Sequence, residues 1–181
     1  MPEVPFAALR GPKLIPIQNH LDSRGSFSKL FQANLHEFSM SKDISVSVSK
    51  NSFSGTVRGL HIQLHPFSES KLITCLSGAI FDVIVDLRDS SPTFKSWSRV
   101  ELASTHLQQL YVPVGFAHGY QTLENDTELI YIISGKYSSA HSRRIHCQDL
   151  ELAIQWPLNI TEISDTDKEA RSLNSLLEEL K

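Results

Sequence analysis

Hydrophobic and polar residues alternate with a period of two over much of this chain, the repeat of strands whose two faces meet different surroundings. Ile44-Ser45-Val46-Ser47-Val48-Ser49 alternates strictly and predicts a half-buried strand over 44–49. Residues 71–76 and 79–87 are rich in Val, Ile and Phe and predict two strands joined by a turn at Ser77-Gly78. Further strands are predicted at 13–18, 99–102, 109–112, 119–123, 128–133 and 152–156. Turn signals separate them, among them Asp89-Ser90-Ser91-Pro92, Pro113-Val114-Gly115 and Glu124-Asn125-Asp126. Short strands at this spacing, with no long helical pattern between them, predict an all-β sandwich or barrel and disfavour a parallel βαβ sheet.

Two helices are predicted. One is short, over 35–41. The other runs over about 167–180, where Ala170, Leu173, Leu176, Leu177 and Leu180 recur at helical spacing. Thr166 and Glu169 stand where a capping box would start it. No repeat, low-complexity tract or linker breaks the chain, so residues 1–181 read as one domain with a C-terminal helix.

Composition narrows the function classes. With 181 residues and 40% hydrophobic content, an ordinary core is available. A net charge of -3, with both signs interspersed, offers no nucleic-acid surface and no polybasic membrane patch. Apolar runs are strand-sized, far short of a membrane span. Met1-Pro2-Glu3-Val4-Pro5 lacks the basic-then-apolar order of a signal peptide. Two cysteines in apolar surroundings, Cys75 and Cys147, read as reduced cytoplasmic thiols rather than a disulfide.

Candidate chemistry concentrates in Val57-Arg58-Gly59-Leu60-His61-Ile62-Gln63. On a strand, Gly59, His61, Gln63 and His65 point one way and Leu60, Ile62 and Leu64 the other, so one face packs a core while the other carries an imidazole into a cavity. A lone His61 could be a half-buried histidine satisfied by a carbonyl, but Arg58 and Lys71 flank it, and two cations suit an anionic ligand. His118, just after the Pro113-Val114-Gly115 turn, sits at a strand mouth, as ligand group or as structural turn histidine. Tyr131 shares a face with Leu129 and Ile133, which also suits a core tyrosine. Tyr137 is a loop aromatic that either stacks on a ligand or covers an apolar edge. Asp167 is a first-turn acid that a helix dipole alone would favour. A metal-binding reading draws on His61, His65, Glu69 and His118, but Gln63 occupies the place of the second histidine in the His-x-His pattern such a site wants.

Several motifs in order make a family resemblance: Asp22-Ser23-Arg24-Gly25, the 57–63 string, Lys71-Leu72, Asp82-Val83-Ile84-Val85-Asp86-Leu87-Arg88, Ser91-Pro92-Thr93-Phe94, residues 113–120 and Trp156-Pro157. Over about 13–168 the chain resembles the dTDP-4-dehydrorhamnose 3,5-epimerases, which invert 4-keto-6-deoxy sugar nucleotides. The resemblance implies a cupin-type jelly roll, no metal or other cofactor, and a homodimer with strands paired across subunits. It gives His61 the role of general base, Tyr131 that of general acid, Asp167 that of the carboxylate orienting the histidine, and Lys71 a place at the 4-keto oxygen. Arg24, Arg58, Asn51 and His118 match substrate-binding positions, and Tyr137 matches the aromatic that stacks on the nucleobase. Lys29, Ser142 and the shortened 45–54 segment depart from the family's pattern at substrate-contacting positions.

The function expected is therefore an isomerase inverting C3, C5 or both in a nucleotide-linked 4-keto-6-deoxy sugar, most simply a dTDP-sugar of rhamnose biosynthesis. A 4-keto group acidifies the neighbouring C–H bonds, and a histidine base with an opposed acid suffices for inversion. The alternatives are a metal-dependent cupin enzyme and a non-catalytic cupin that binds nucleotide sugars.

Overall fold

A computed structural model of the protein describes residues 2–32 and 42–179. The helix expected over 35–41 lies outside the described residues. The chain forms β1 (Lys13–Pro16), β2 (Gln18–Asp22), β3 (Gly25–Lys29), β4 (Ile44–Asn51), β5 (Thr56–Gln63), β6 (Ser70–Ser77) and β7 (Ala79–Asp86). There follow β8 (Trp97–Ala103), β9 (Gln108–Val112), β10 (Phe116–Thr122), β11 (Thr127–Ser134), β12 (Ser142–Arg144) and β13 (Glu162–Ile163), then α1 (Asp165–Lys168) and α2 (Leu173–Glu179).

The strands build two main sheets. One has the order β1-β9-β6-β11-β4; the other runs β12-β5-β10-β7-β8, with β13 added in parallel to the start of β5. The remaining pairs in both sheets are antiparallel, and β2–β3 stands apart as a hairpin. Period-two patterning explains how the sheets face each other. Ile73, Leu110 and Leu129 from one sheet meet Ile80, Ile84, Leu102 and Phe116 from the other in a buried cluster. The opposite residues of the second sheet, Leu60, Ile62, Phe81, Val83 and Val85, pack under Ile145, Leu152, Ile154, Leu173 and Leu176 of the C-terminal segment. The second sheet is thus apolar on both faces, and the architecture is the expected cupin-type jelly roll.

Three expectations are corrected. Residues 152–156 form no strand, because the Asp149 carboxylate accepts the N–H groups of Glu151, Leu152 and Leu173 and folds the segment into turns. The single helix expected over 167–180 is two: the Arg171 carbonyl accepts from His146 N–H, diverting the backbone between α1 and α2. Its cap is Ser164, whose hydroxyl accepts from Asp167 N–H at 3.2 Å; the helix starts early because β13 ends at Ile163, and Thr166 and Glu169 form no capping box.

β4 inverts the usual polarity. Its Ser45 and Ser47 face a cavity between the sheets, while Val46 and Val48 on the other side are 62% and 55% exposed. The alternation is as predicted, but its apolar face has no cover among the described residues.

A bulge sets the face of the histidine strand. His118 pairs with His61 and Tyr120 with Arg58, so Gly59 and Leu60 together oppose Gly119 alone. One extra residue brings Arg58 and His61, three apart in sequence, onto the same face. Gly59 has φ +116°, and a Cβ there would lie 2.5 Å from Gly119 Cα and 2.8 Å from His118 O. Only glycine fits. Replacing Gly59 with Ala is therefore expected to destabilise the fold by about 2 kcal/mol or more, measured as a lowered urea midpoint; an unchanged midpoint would contradict this account of the bulge.

Candidate active site

The site is built on a buried carboxylate. Asp167 sits in the first turn of α1, which β13 delivers alongside β5. Its Oδ1 lies 2.7 Å from His61 Nε2, and its Oδ2 accepts the Gly59 N–H at 3.3 Å. Burial opposes the charge on Asp167, but the His61 hydrogen bond and charge, the Gly59 N–H and the Ser164 hydroxyl outweigh it and hold the carboxyl below its ordinary pKa. A charged Asp167 fixes His61 Nε2 as the protonated nitrogen and leaves Nδ1 as the nitrogen that can take a proton.

His61 has a second histidine beside it. His118, its register partner on β10, is buried with Nε2 at 2.8 Å from Asp82 Oδ2. Burial raises the Asp82 pKa, with His118 and then Lys71 pulling against it. Tyr131, on β11 of the facing sheet, meets His118 edge-on with ring centroids 6.3 Å apart. Burial lifts the Tyr131 phenol well above its ordinary pKa; Tyr120 and Asp82 add to this and Arg58 opposes it. The phenol is therefore protonated throughout the neutral range and is equipped to give a proton rather than take one.

The cations are held by partners. Lys71 Nζ is 3.0 Å from Glu69 Oε1, and Gln63 Nε2 donates to Glu69 Oε2 at 2.8 Å. Arg58 Nε donates to Asn51 Oδ1 at 2.8 Å, and the Tyr120 hydroxyl donates to the same oxygen at 3.2 Å. Asn51 thus positions the arginine from the end of β4. His61 and Arg144 line two openings: one of about 350 Å³ with Arg58 and Asp167, the other of about 380 Å³ with Lys71 and Tyr137.

The structure brings together His61, Asp167, Lys71, Arg58, Asn51, His118, Tyr131 and Tyr137 around the space between the sheets. Arg24 is not among them. It lies on the exposed β2–β3 hairpin, where it pairs with Asp22 at 2.6 Å. The residues of the metal reading go to separate partners: His61 to Asp167, His118 to Asp82, and Glu69 to Lys71 and Gln63, while His65 sits in a turn. Among the described residues no group of three or more His, Cys, Asp or Glu could hold a metal ion.

Sequence reasoning missed four contributors: Asp82, Tyr120, Glu69 as the anchor of Lys71, and Arg144. Asp82 left a signal, a lone carboxylate in the middle of the apolar strand 79–85. Arg144 left none beyond its charge.

A family model described as dTDP-4-dehydrorhamnose 3,5-epimerase matches residues 7–175. The chain is 40% identical over 168 residues to a dTDP-4-dehydrorhamnose 3,5-epimerase of Sinorhizobium fredii, covering 91% of this chain and 86% of that one. A crystal structure of the Bacillus anthracis dTDP-4-dehydrorhamnose 3,5-epimerase with TDP and PPi bound is similar with TM-score 0.83 and 39% identity, over 90% of this chain and 94% of that one. A dTDP-6-deoxy-D-glucose-3,5-epimerase of Legionella pneumophila, in complex with dTDP-4-keto-L-rhamnose, matches with TM-score 0.83 and 34% identity, over 95% and 93% of the two chains.

The depressed Asp167 pKa makes a stability prediction. A carboxylate whose folded-state pKa is lowered stabilises the fold above the unfolded-state value of about 4, and this is lost as pH falls through the folded-state value. Asp167→Asn should lower stability at pH 7 by about 1 kcal/mol, a modest figure because the His61 partner is 40% exposed. Urea midpoints should converge with wild type as pH falls below about 4. A gap independent of pH would contradict the ion-pair account.

Proposed function

The chain belongs to the dTDP-4-dehydrorhamnose 3,5-epimerase family, and we propose that His61 and Tyr131 carry out its reaction as opposed base and acid. The enzyme is an isomerase that epimerises a dTDP-linked 4-keto-6-deoxy sugar. The observation that carries the assignment of roles is His61, paired with Asp167 of α1 and standing beside His118 on one sheet, while Tyr131 meets His118 from the other. Inversion requires a proton to leave one face of the sugar ring and another to arrive at the opposite face, and two facing sheets supply such a pair.

In this reading the sugar lies between the sheets. His61 Nδ1 takes the proton from a carbon beside the ketone, and the electron pair delocalises onto the 4-keto oxygen as an enolate. Asp167 stabilises the imidazolium that forms, without itself taking the proton. Lys71, held by Glu69, offers its ammonium to the enolate oxygen, where one such donor is worth about 3 kcal/mol. Tyr131 then protonates the same carbon from the far side. Its raised pKa suits this step, because the phenol is fully protonated when the enolate needs it. Arg58 supplies positive charge for the diphosphate, and Tyr137, exposed at the mouth of the Lys71 opening, offers a face for the base. That a Legionella relative was crystallised with dTDP-4-keto-L-rhamnose supports the substrate class.

We also place this chain in a homodimer. Val46 and Val48 face outward from an edge strand, and the hairpin carries Leu21 and Phe27, 77% and 67% exposed. Apolar residues on an open edge suit a second copy. Arg24, far from its own cavity, would then serve the partner's. Buried, free Cys75 and Cys147 suit a reducing cytoplasm, and among the described residues no helix is long and apolar enough to cross a membrane.

Incubation with a dTDP-4-keto-6-deoxyhexose in heavy water should place deuterium at C3, C5 or both, read by NMR. His61→Ala should lower exchange and inversion together by about a thousandfold, whereas Tyr131→Phe should lower inversion more than exchange. Exchange by His61→Ala at the wild-type rate would overturn the assignment.

Light scattering at micromolar concentration should give the mass of a dimer. Val46→Lys combined with Val48→Lys should yield a folded monomer of much lower activity; a fully active monomer would refute this assembly.

A further inference from the structure

Arg144 is the charged side chain closest to the base that the mechanism leaves unused. Three observations place it there. In the β5–β12 pair it stands directly opposite His61, so the two side chains share a face, while Arg143 alternates outward to bind Glu179 at 2.6 Å. Its Nε lies 3.2 Å from Asp167 Oδ1, the oxygen that also receives His61. That Nε is buried and makes no directed hydrogen bond, so the approach is an ion pair that leaves the oxygen's hydrogen bond to the imidazole.

The other cations near the site are committed elsewhere. Arg58 is tied to Asn51 and Lys71 to Glu69. Around His61 the charged and titratable groups are Arg58 on its own strand, His118 on β10, Arg144 on β12, Asp167 on α1 and Glu162 on β13. From the facing sheet and the loops that continue it come Tyr131, Tyr137 and the Lys71–Glu69 pair. Of the cations among the described residues, only Arg144 touches the carboxylate that His61 depends on. A neutral imidazole and a guanidinium can share one carboxylate comfortably; an imidazolium and a guanidinium converging on one oxygen repel each other.

We propose that Arg144 is a positioning residue of the epimerase reaction: it keeps Asp167 charged and turned toward His61, and it disfavours premature protonation of the imidazole. The repulsion also favours loss of the imidazolium proton to solvent after Tyr131 has protonated the carbon, while the Tyr131 phenolate takes a proton back. This rests on the reading of His61 as the base.

The sign of the effect follows from charge. Both nitrogens contact one oxygen and so lie within about 6 Å of each other, close enough for a like charge to shift a titration by about one unit. Removing the cation should make His61 easier to protonate and move the acid limb of activity to higher pH. Arg144→Gln removes the charge while keeping much of the stem; Arg144→Lys retains the charge.

The experiment is the pH profile of kcat/KM for wild type, R144Q and R144K, with NMR titration of the His61 imidazole in the substrate-free proteins. The imidazole signal is assigned by its loss in His61→Ala. In R144Q the acid limb and the His61 titration should both move up by about one pH unit, and R144K should restore most of the shift. A His61 titration unmoved in R144Q, or moved equally in both variants, would overturn the proposal. So would a raised KM with an unmoved acid limb, which would make Arg144 a substrate contact instead. The NMR titration needs no turnover, so it reads the positioning claim even if the assignment of His61 as base fails; that failure would appear separately, as turnover surviving in His61→Ala.

Discussion

The arrangement of the site depends on one buried carboxylate. Asp167 is the side chain by which the C-terminal segment reaches the middle of the histidine strand, through His61 on one oxygen and the Gly59 N–H on the other. A buried charge without such partners would be costly. With them it stays ionised, and the requirement runs both ways. The bulge at Gly59 is needed to present the N–H and aim the imidazole, and the Ser164 cap is needed to start α1 where its first turn meets β5. Sheet register, helix start and base orientation are three consequences of satisfying one carboxylate.

The two sheets divide the chemistry between them. The sheet of β5 and β10 contributes His61, Arg58 and His118, whereas the sheet of β6 and β11 contributes Lys71 and Tyr131. Each polar group carries its own partner: Asp167 for His61, Asp82 for His118, Glu69 for Lys71, Asn51 for Arg58. Such pairing lets a cavity hold this many polar side chains beside a tightly packed apolar cluster. Burial also keeps the Tyr131 phenol protonated in the neutral range.

Much of the strand pattern was legible in the sequence because period-two alternation is a local signal. The segments at 44–49, 71–76, 79–87 and 128–133 all form strands near their expected bounds. What failed was non-local. Residues 152–156 have strand composition, yet Asp149 gathers three N–H groups and folds them into turns. Period-two reading placed His61 on a polar face, but strict alternation cannot bring Arg58 to that face, since a bulge against Gly119 has no signature beyond the glycine itself. Family resemblance supplied Asp167, which helix statistics alone would have left as a first-turn acid. Neither route pointed to Arg144, whose meaning comes only from standing opposite His61 across a strand pair that composition does not reveal. The inverted polarity of β4 was equally hidden: alternation says that the two faces differ, and says nothing about which one turns inward.

Of all the residues gathered around the cavity, Asp167 is the last in the chain. A ribosome makes the others first, and every strand from β1 to β12 is complete before Asp167 emerges. The sheets can pair and bury their apolar cluster while His61 still lacks its carboxylate. Chemical competence is thus separated in time from the formation of the scaffold. A nascent chain halted before α1 would lack the carboxylate that pairs with His61, so the turn carrying Asp167 completes the pair after the strands have been made.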